Sequence, residues 1–96
     1  MDGEEWQGLT VRDCNGRVVG VVVGVFAEGP HSGDLRVHGK ITSRRHPTWL
    51  WAGTLVFAIP RHAVMHRTRH SLVLNVPLAA ARTRWLVHVL PRAVAC

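Results

Sequence analysis

From Gly8 to Phe26 the chain reads GLTVRDCNGRVVGVVVGVF, two runs rich in β-branched residues joined at Asn15-Gly16 and then interrupted by Gly20 and Gly24. Asn-Gly between alternating apolar runs signals a hairpin, because a type I′ turn requires positive φ at both central residues and these residue types tolerate it. Val11, Val18 and Val22 then fall on one face of the ribbon, the face expected to be buried. A glycine inside a strand weakens pairing and marks a bulge, a bend or a close approach of backbones. Gly20 and Gly24 together predict a sharply curled antiparallel sheet.

Ninety-six residues, 47% of them apolar, suit one domain with a small core. The longest nearly apolar runs, residues 18–26 and 49–59, fall short of the roughly 18 to 20 residues that span a bilayer, so no transmembrane segment is expected. The opening MDGEEWQ is acidic and lacks the basic and apolar regions of a secretory signal, which makes the cytoplasm the expected compartment. Cys14 and Cys96 form no spaced framework and match no zinc or redox motif. A reducing setting would keep both as thiols.

Charge is unevenly distributed. All six acids (Asp2, Glu4, Glu5, Asp13, Glu28, Asp34) precede Leu35, where only Arg12 and Arg17 oppose them. The rest of the chain holds no acid and ten bases, eleven arginines and one lysine in all making a net charge of +6. Such a field draws phosphates, anionic lipid or an acidic protein face. Folding the two halves against each other would instead neutralise part of it.

Leu35, Val37, Gly39 and Ile41 alternate with Arg36, His38, Lys40 and Thr42, the period of two of a strand with one core face and one cationic face. His46-Pro47 should stop that strand. Residues 54–59 form a further strand closed by Pro60, residues 61–69 a short helical turn or irregular connector, and residues 71–76 another strand. Toward the end, Leu78, Ala81, Trp85 and Val89 recur at helical spacing up to Pro91, predicting an amphipathic helix. Residues 85–90 fit an extended strand as well.

The order of a glycine-turn hairpin (VRDCNGRVVGVVVGVF), an alternating strand and LVFAIPRHAVMHRTRHSLVLNVP resembles a PRC-barrel domain over roughly residues 8–77. Asp13, Gly16, Gly20 and Val22 are similar to that family's first segment, and Pro60, Ala63 and Val64 to its proline and Ala-Val turn. The resemblance implies a small antiparallel β-barrel serving as an assembly or docking module, with no catalytic residues. The chain departs from the pattern in residues 43–53, which are longer and richer in Trp than the family's turn. NGRVVGVVVGVF followed by IPRHAV is also similar to the Sm-like RNA-binding fold, which implies nucleotide contacts at Asn15, Arg61 and His62. An Sm-like domain would be nearly complete by His66, leaving SLVLNVP unassigned.

His62, His66 and His70 stand four apart, and on a continuous helix they would share a face able to hold a divalent metal. Arg61, Arg67 and Arg69 among them repel a cation, and no carboxylate or cysteine lies nearby to complete a shell. These three are therefore secondary metal candidates only, and no cofactor is expected. His31, His38, His46 and His88 read as surface residues. No serine sits in a nucleophile elbow, Cys14 has no base beside it, and neither dinucleotide nor phosphate-loop glycines occur. The chain is not expected to be an enzyme.

Trp49 and Trp51, two apart, would point the same way from an extended segment, behind the cationic Ser43-Arg44-Arg45-His46-Pro47. Aromatics beside arginines mark partner hot spots and nucleic-acid platforms, while two indoles could equally plug the end of a small barrel. The chain thus divides into an acidic segment (1–7), a PRC-barrel-like β-barrel (8–77) and a C-terminal amphipathic helix or extension (78–96). The expected function is non-catalytic docking, as a scaffold or accessory subunit, through Arg44, Arg45, Trp49, Trp51, Arg61, Arg67 and Arg69. The expected partner is a protein complex or a second copy, with nucleic acid or a peripheral anionic membrane surface as alternatives. An Sm-like RNA binder and a His-rich metal-binding protein are the competing functions.

Overall fold

The computed structural model describes residues 6–41 and 53–91, apart from the side chains of Lys40, Ile41 and Pro91. The described elements are β1 (Thr10–Arg12), β2 (Val18–Val25), β3 (Leu35–Ile41), β4 (Gly53–Ile59), a 3-10 turn (Arg61–Ala63), β5 (Val64–Arg67), β6 (Ser71–Leu74), α1 (Leu78–Trp85) and β7 (Leu86–Pro91). The described strands make one seven-stranded sheet in the order β5-β6-β1-β2-β3-β4-β7. The mainly β class and the short C-terminal helix hold. The sheet is neither wholly antiparallel nor closed, however: β1 and β6 run parallel, and β5 and β7 end it on opposite sides. The cause is topological. One edge of β1 is taken by β2 through the hairpin, and β6, reversed by its own hairpin with β5, reaches the other edge in the same direction as β1.

The first hairpin forms where expected but by another turn. Gly16 N–H donates to the Asp13 carbonyl at 3.0 Å and Asp13 N–H to the Arg17 carbonyl at 2.8 Å. Only Gly16 has positive φ (84°), and no non-glycine residue does. This is a turn over Asp13–Gly16 followed by one left-handed glycine, not the type I′ turn centred on Asn15 and Gly16. The Asp13 carboxylate causes the shift: its Oδ1 accepts the N–H groups of Asn15 (2.9 Å) and Arg17 (2.7 Å), an arrangement that moves the turn one residue earlier.

Two irregularities shape β2. Thr10 faces Val21 and Val11 faces Gly20, but Arg12 faces Val18, so Val19 is an extra residue. A bulge reverses which side chains point inward beyond it. Val19 is consequently buried and Val18 is 54% exposed, which corrects the expected face of Val11, Val18 and Val22 at its middle member. A second shift sets Val22 against Val37 but Gly24 against Arg36. Between them, a Cβ on Gly20 would strike the His38 carbonyl oxygen and a Cβ on Gly39 the Val19 carbonyl oxygen. The two strands touch backbone to backbone here, and the sheet can coil this tightly only because both residues lack side chains.

Leu9, Val11, Val22, Leu35, Val37, Phe57, Ile59, Leu72 and Leu74 fill the concave side. Full burial of one such side chain contributes about 1.5–3 kcal/mol. The alternation in β3 is as expected, with Leu35, Val37 and Gly39 inward. β4 is buried on both faces, with Val56 and Ala58 enclosed on the side away from the main core. Ala81 of α1 enters the core, with Leu78 and Trp85 packed against it. The helix ends at Trp85 and the chain continues as β7 along β4, so the extended alternative for residues 85–90 is the one realised from Leu86 onward. Trp6, from the acidic N-terminal segment, also packs against the core.

Candidate functional site

β2 and β3 pair only from Val21–His38 to Val25–Leu35. Beyond that point β2 stays with β1 as far as Val18, while β3 stays with β4 as far as Ile41. The strands therefore fork next to the Gly20–Gly39 contact, and a cavity of about 350 Å³ opens there. Its walls are Val18, Val19, Val21 and Leu55, its floor the backbone at Gly20 and Gly39, and its polar groups His38 and Arg82. Arg82, the exposed residue after the buried Ala81 on α1, completes the lining.

His38 lies on the convex face in a row that crosses four strands, Val21, His38, Val56 and His88 being successive cross-strand neighbours. Partial burial, with Arg36 close on the same strand, holds its imidazole pKa below the ordinary value. It is therefore neutral near pH 7, with one ring N–H to donate. The sequence reads His38 as a surface residue and marks Arg82 for no site. The signal was present in Gly20 and Gly39, whose missing side chains allow the close backbone contact beside which the cavity lies, but its meaning depends on the pairing of distant strands.

The residues singled out from the sequence are scattered. Arg44, Arg45, Trp49 and Trp51 lie outside the described residues. Arg61 and Arg67 converge on Trp6, their guanidinium carbons 5.8 and 5.0 Å from its ring centroid, and Arg61 Nε donates to the Gly33 carbonyl at 3.2 Å. They clamp the N-terminal segment onto the sheet, a cation–π use of arginine. Arg69 is exposed in the turn between β5 and β6.

His62, His66 and His70 do not share a helix face. His62 is in the 3-10 turn, His66 in β5 and His70 in the following bend, because the chain turns extended at Val64 and Val64–Arg67 pairs with β6. No three of His, Cys, Asp and Glu gather at metal-binding distance among the described residues. Asn15, Arg61 and His62, the loosely Sm-like set, sit on two separate loops. Cys14 is an exposed free thiol.

Asp13 is the buried acid of the described core, and its role is structural. Besides the turn N–H groups, its Oδ2 accepts the Leu78 N–H at the start of α1 at 2.8 Å. Burial pushes its pKa up, but the donors from Arg17, Leu78 and Asn15, with the Arg17 charge, outweigh it and hold the carboxyl below its usual value.

The last feature is the edge that β7 forms among the described strands. β7 carries Leu86, Val89 (52% exposed) and Leu90 (48% exposed) with no charged residue from Leu86 to Leu90. Among the usual protections of such an edge, β7 has a one-residue bulge at Val87 and a proline, Pro91, at its end, while no lysine lies along Leu86–Leu90. No described helix is long and apolar enough to cross a membrane. No family model matches the chain, and neither the curated proteins nor the solved structures contain a match.

Proposed function

We propose that the chain is a non-catalytic assembly module, a PRC-barrel-like curled sheet that pairs through β7 with a second copy and presents its positive surface to an acidic face of a larger complex. The observation that carries this reading is the outer edge of β7, where Leu86, Val89 and Leu90 are exposed and His88 is the single titratable side chain. An exposed strand edge offers a ready row of backbone donors and acceptors, and antiparallel pairing of β7 with its own copy across a two-fold axis satisfies both rows at once. The absence of charge between Leu86 and Leu90 lets two copies approach along this strand despite the net charge of +6. Exposed Arg82 and Arg84 on α1, Arg36 on β3 and Arg69 beside β5 remain available to an acidic partner.

Sedimentation velocity tests the reading. The protein should sediment as a dimer at micromolar concentration, and Leu86→Lys with Leu90→Lys should return it to a monomer with unchanged circular dichroism. A monomer at all concentrations removes the proposal. The nucleic-acid alternative has a distinct signature: affinity for a single-stranded RNA oligonucleotide that falls steeply with salt.

A further inference from the structure

We infer that the fork cavity between β2 and β3 binds a small amphiphilic organic anion, one apolar chain or ring bearing a single carboxylate. The inference is independent of how β7 is used.

The inventory of the cavity specifies the ligand. Val18, Val19, Val21 and Leu55 supply an apolar wall, and Gly20 and Gly39 add only backbone, so a ligand's apolar body can lie directly against the strands. Val18 and Val21 stay 54% and 39% exposed, leaving β-branched surface that a ligand would cover. At about 350 Å³ the space is at the small end of pockets that take small molecules. Its polar side chains each offer a donor: the permanently charged guanidinium of Arg82 and the one ring N–H of the His38 imidazole, whose other nitrogen accepts.

No carboxylate lines the cavity, and no ion pair holds Arg82 among the described residues. A cation beside an apolar wall selects a ligand with opposite charge at one end, and the planar guanidinium matches a carboxylate through two parallel hydrogen bonds. A dianion or polyanion would leave charge against Val18, Val21 and Leu55. An uncharged apolar ligand would leave Arg82 without a counter-charge. One negative group on a hydrocarbon of modest length satisfies every wall.

Octanoate and octan-1-ol differ in the head group and so form the test pair, with binding followed by calorimetry on the full chain. Octanoate should bind at one site per chain, at least tenfold more tightly than octan-1-ol. Arg82→Gln should weaken octanoate about tenfold, the equivalent of one charge-assisted hydrogen bond, and leave octan-1-ol unchanged. Val21→Gln, which makes the wall polar at an exposed position, should weaken both. Arg84→Gln, one residue from Trp85 on the same helix but not lining the cavity, should alter neither. Equal affinity for acid and alcohol, insensitivity to Arg82→Gln, or equal losses from Arg82→Gln and Arg84→Gln would each overturn the inference, as would absence of saturable binding.

Discussion

The carboxylate of Asp13 accepts the backbone N–H of Leu78 at 2.8 Å, joining the first hairpin to the start of α1 across 65 positions of sequence. Leu78 is the first residue of α1, and Pro77 before it provides no side-chain cap. A helix start needs acceptors for its first N–H groups, and here one comes from another part of the fold. Asp13→Ala removes the acceptor for three N–H groups at once. Its expected cost is about 3 kcal/mol or more in urea denaturation, since charge-assisted hydrogen bonds contribute about 1.5–3 kcal/mol each and their losses overlap. Asp13→Asn keeps one oxygen for the turn but sets an NH₂ against Leu78 or Arg17, and should cost roughly half as much.

Acid should undo the same contact. The folded-state pKa of Asp13 lies below its ordinary value, so the carboxylate's contribution is complete above the unfolded value of about 3.9 and is lost as pH falls through the folded one. Denaturation midpoints followed from pH 6 downward should fall more steeply for the native chain than for Asp13→Asn. Parallel curves would mean that Asp13 does not link protons to folding.

His38 should produce a second, separate slope. Its folded pKa is depressed by burial and by Arg36, so the unfolded chain takes up this proton more readily. Stability is then highest above about pH 6.5, declines as pH drops below that value, and levels off beneath the folded pKa. His38→Gln should flatten the decline in this window while leaving the lower, Asp13-dependent one intact.

Glycines of β2 and β3 should respond in opposite ways. Gly20→Ala and Gly39→Ala each drive a methyl into a neighbouring carbonyl oxygen, and the expected loss is about 3 kcal/mol or more, beyond ordinary overpacking because backbone must move. Gly24→Ala meets nothing within 4 Å and does not occupy a left-handed conformation. It should be neutral or stabilise by up to about 1 kcal/mol through the unfolded state. Thermal unfolding of the three variants side by side is sufficient.

The sequence made some of this structure readable and concealed the rest for identifiable reasons. β3 was legible because Leu35, Val37 and Gly39 turn inward while Arg36 and His38 turn outward, and β4 because the apolar run Leu55–Ile59, closed by Pro60, suits a strand covered on both faces. The turn type was not, since Asn15-Gly16 signals one geometry until the Asp13 carboxylate claims two turn N–H groups. Val18 exchanged faces with Val19 because a bulge changes the phase without changing composition. β5 has no apolar period: of Val64, Met65, His66 and Arg67 only Val64 packs on the core, while Met65 is 62% exposed. The histidine triplet assumed a helix where Val64–Arg67 instead pairs with β6 as a strand. In the cavity, Gly20 and Gly39 hinted at a close approach, but Arg82 arrives from an element more than forty residues away, and no local pattern carries that information.

The parallel pairing of β1 with β6 has a consequence for how the molecule forms. Thr10 meets Ser71 and Val11 meets Leu72 only after the intervening chain has been threaded through four other strands. The β1–β4 meander can assemble from neighbouring segments, yet it exposes one edge of β1 until the last third of the chain arrives. Loop-closure entropy must be overcome before that distant pairing is rewarded, which places refolding in the millisecond-to-second regime of sheets dominated by non-local contacts. During that interval β1 offers its unpaired edge to any other extended chain, so partial refolding at high concentration should be the state in which this protein aggregates.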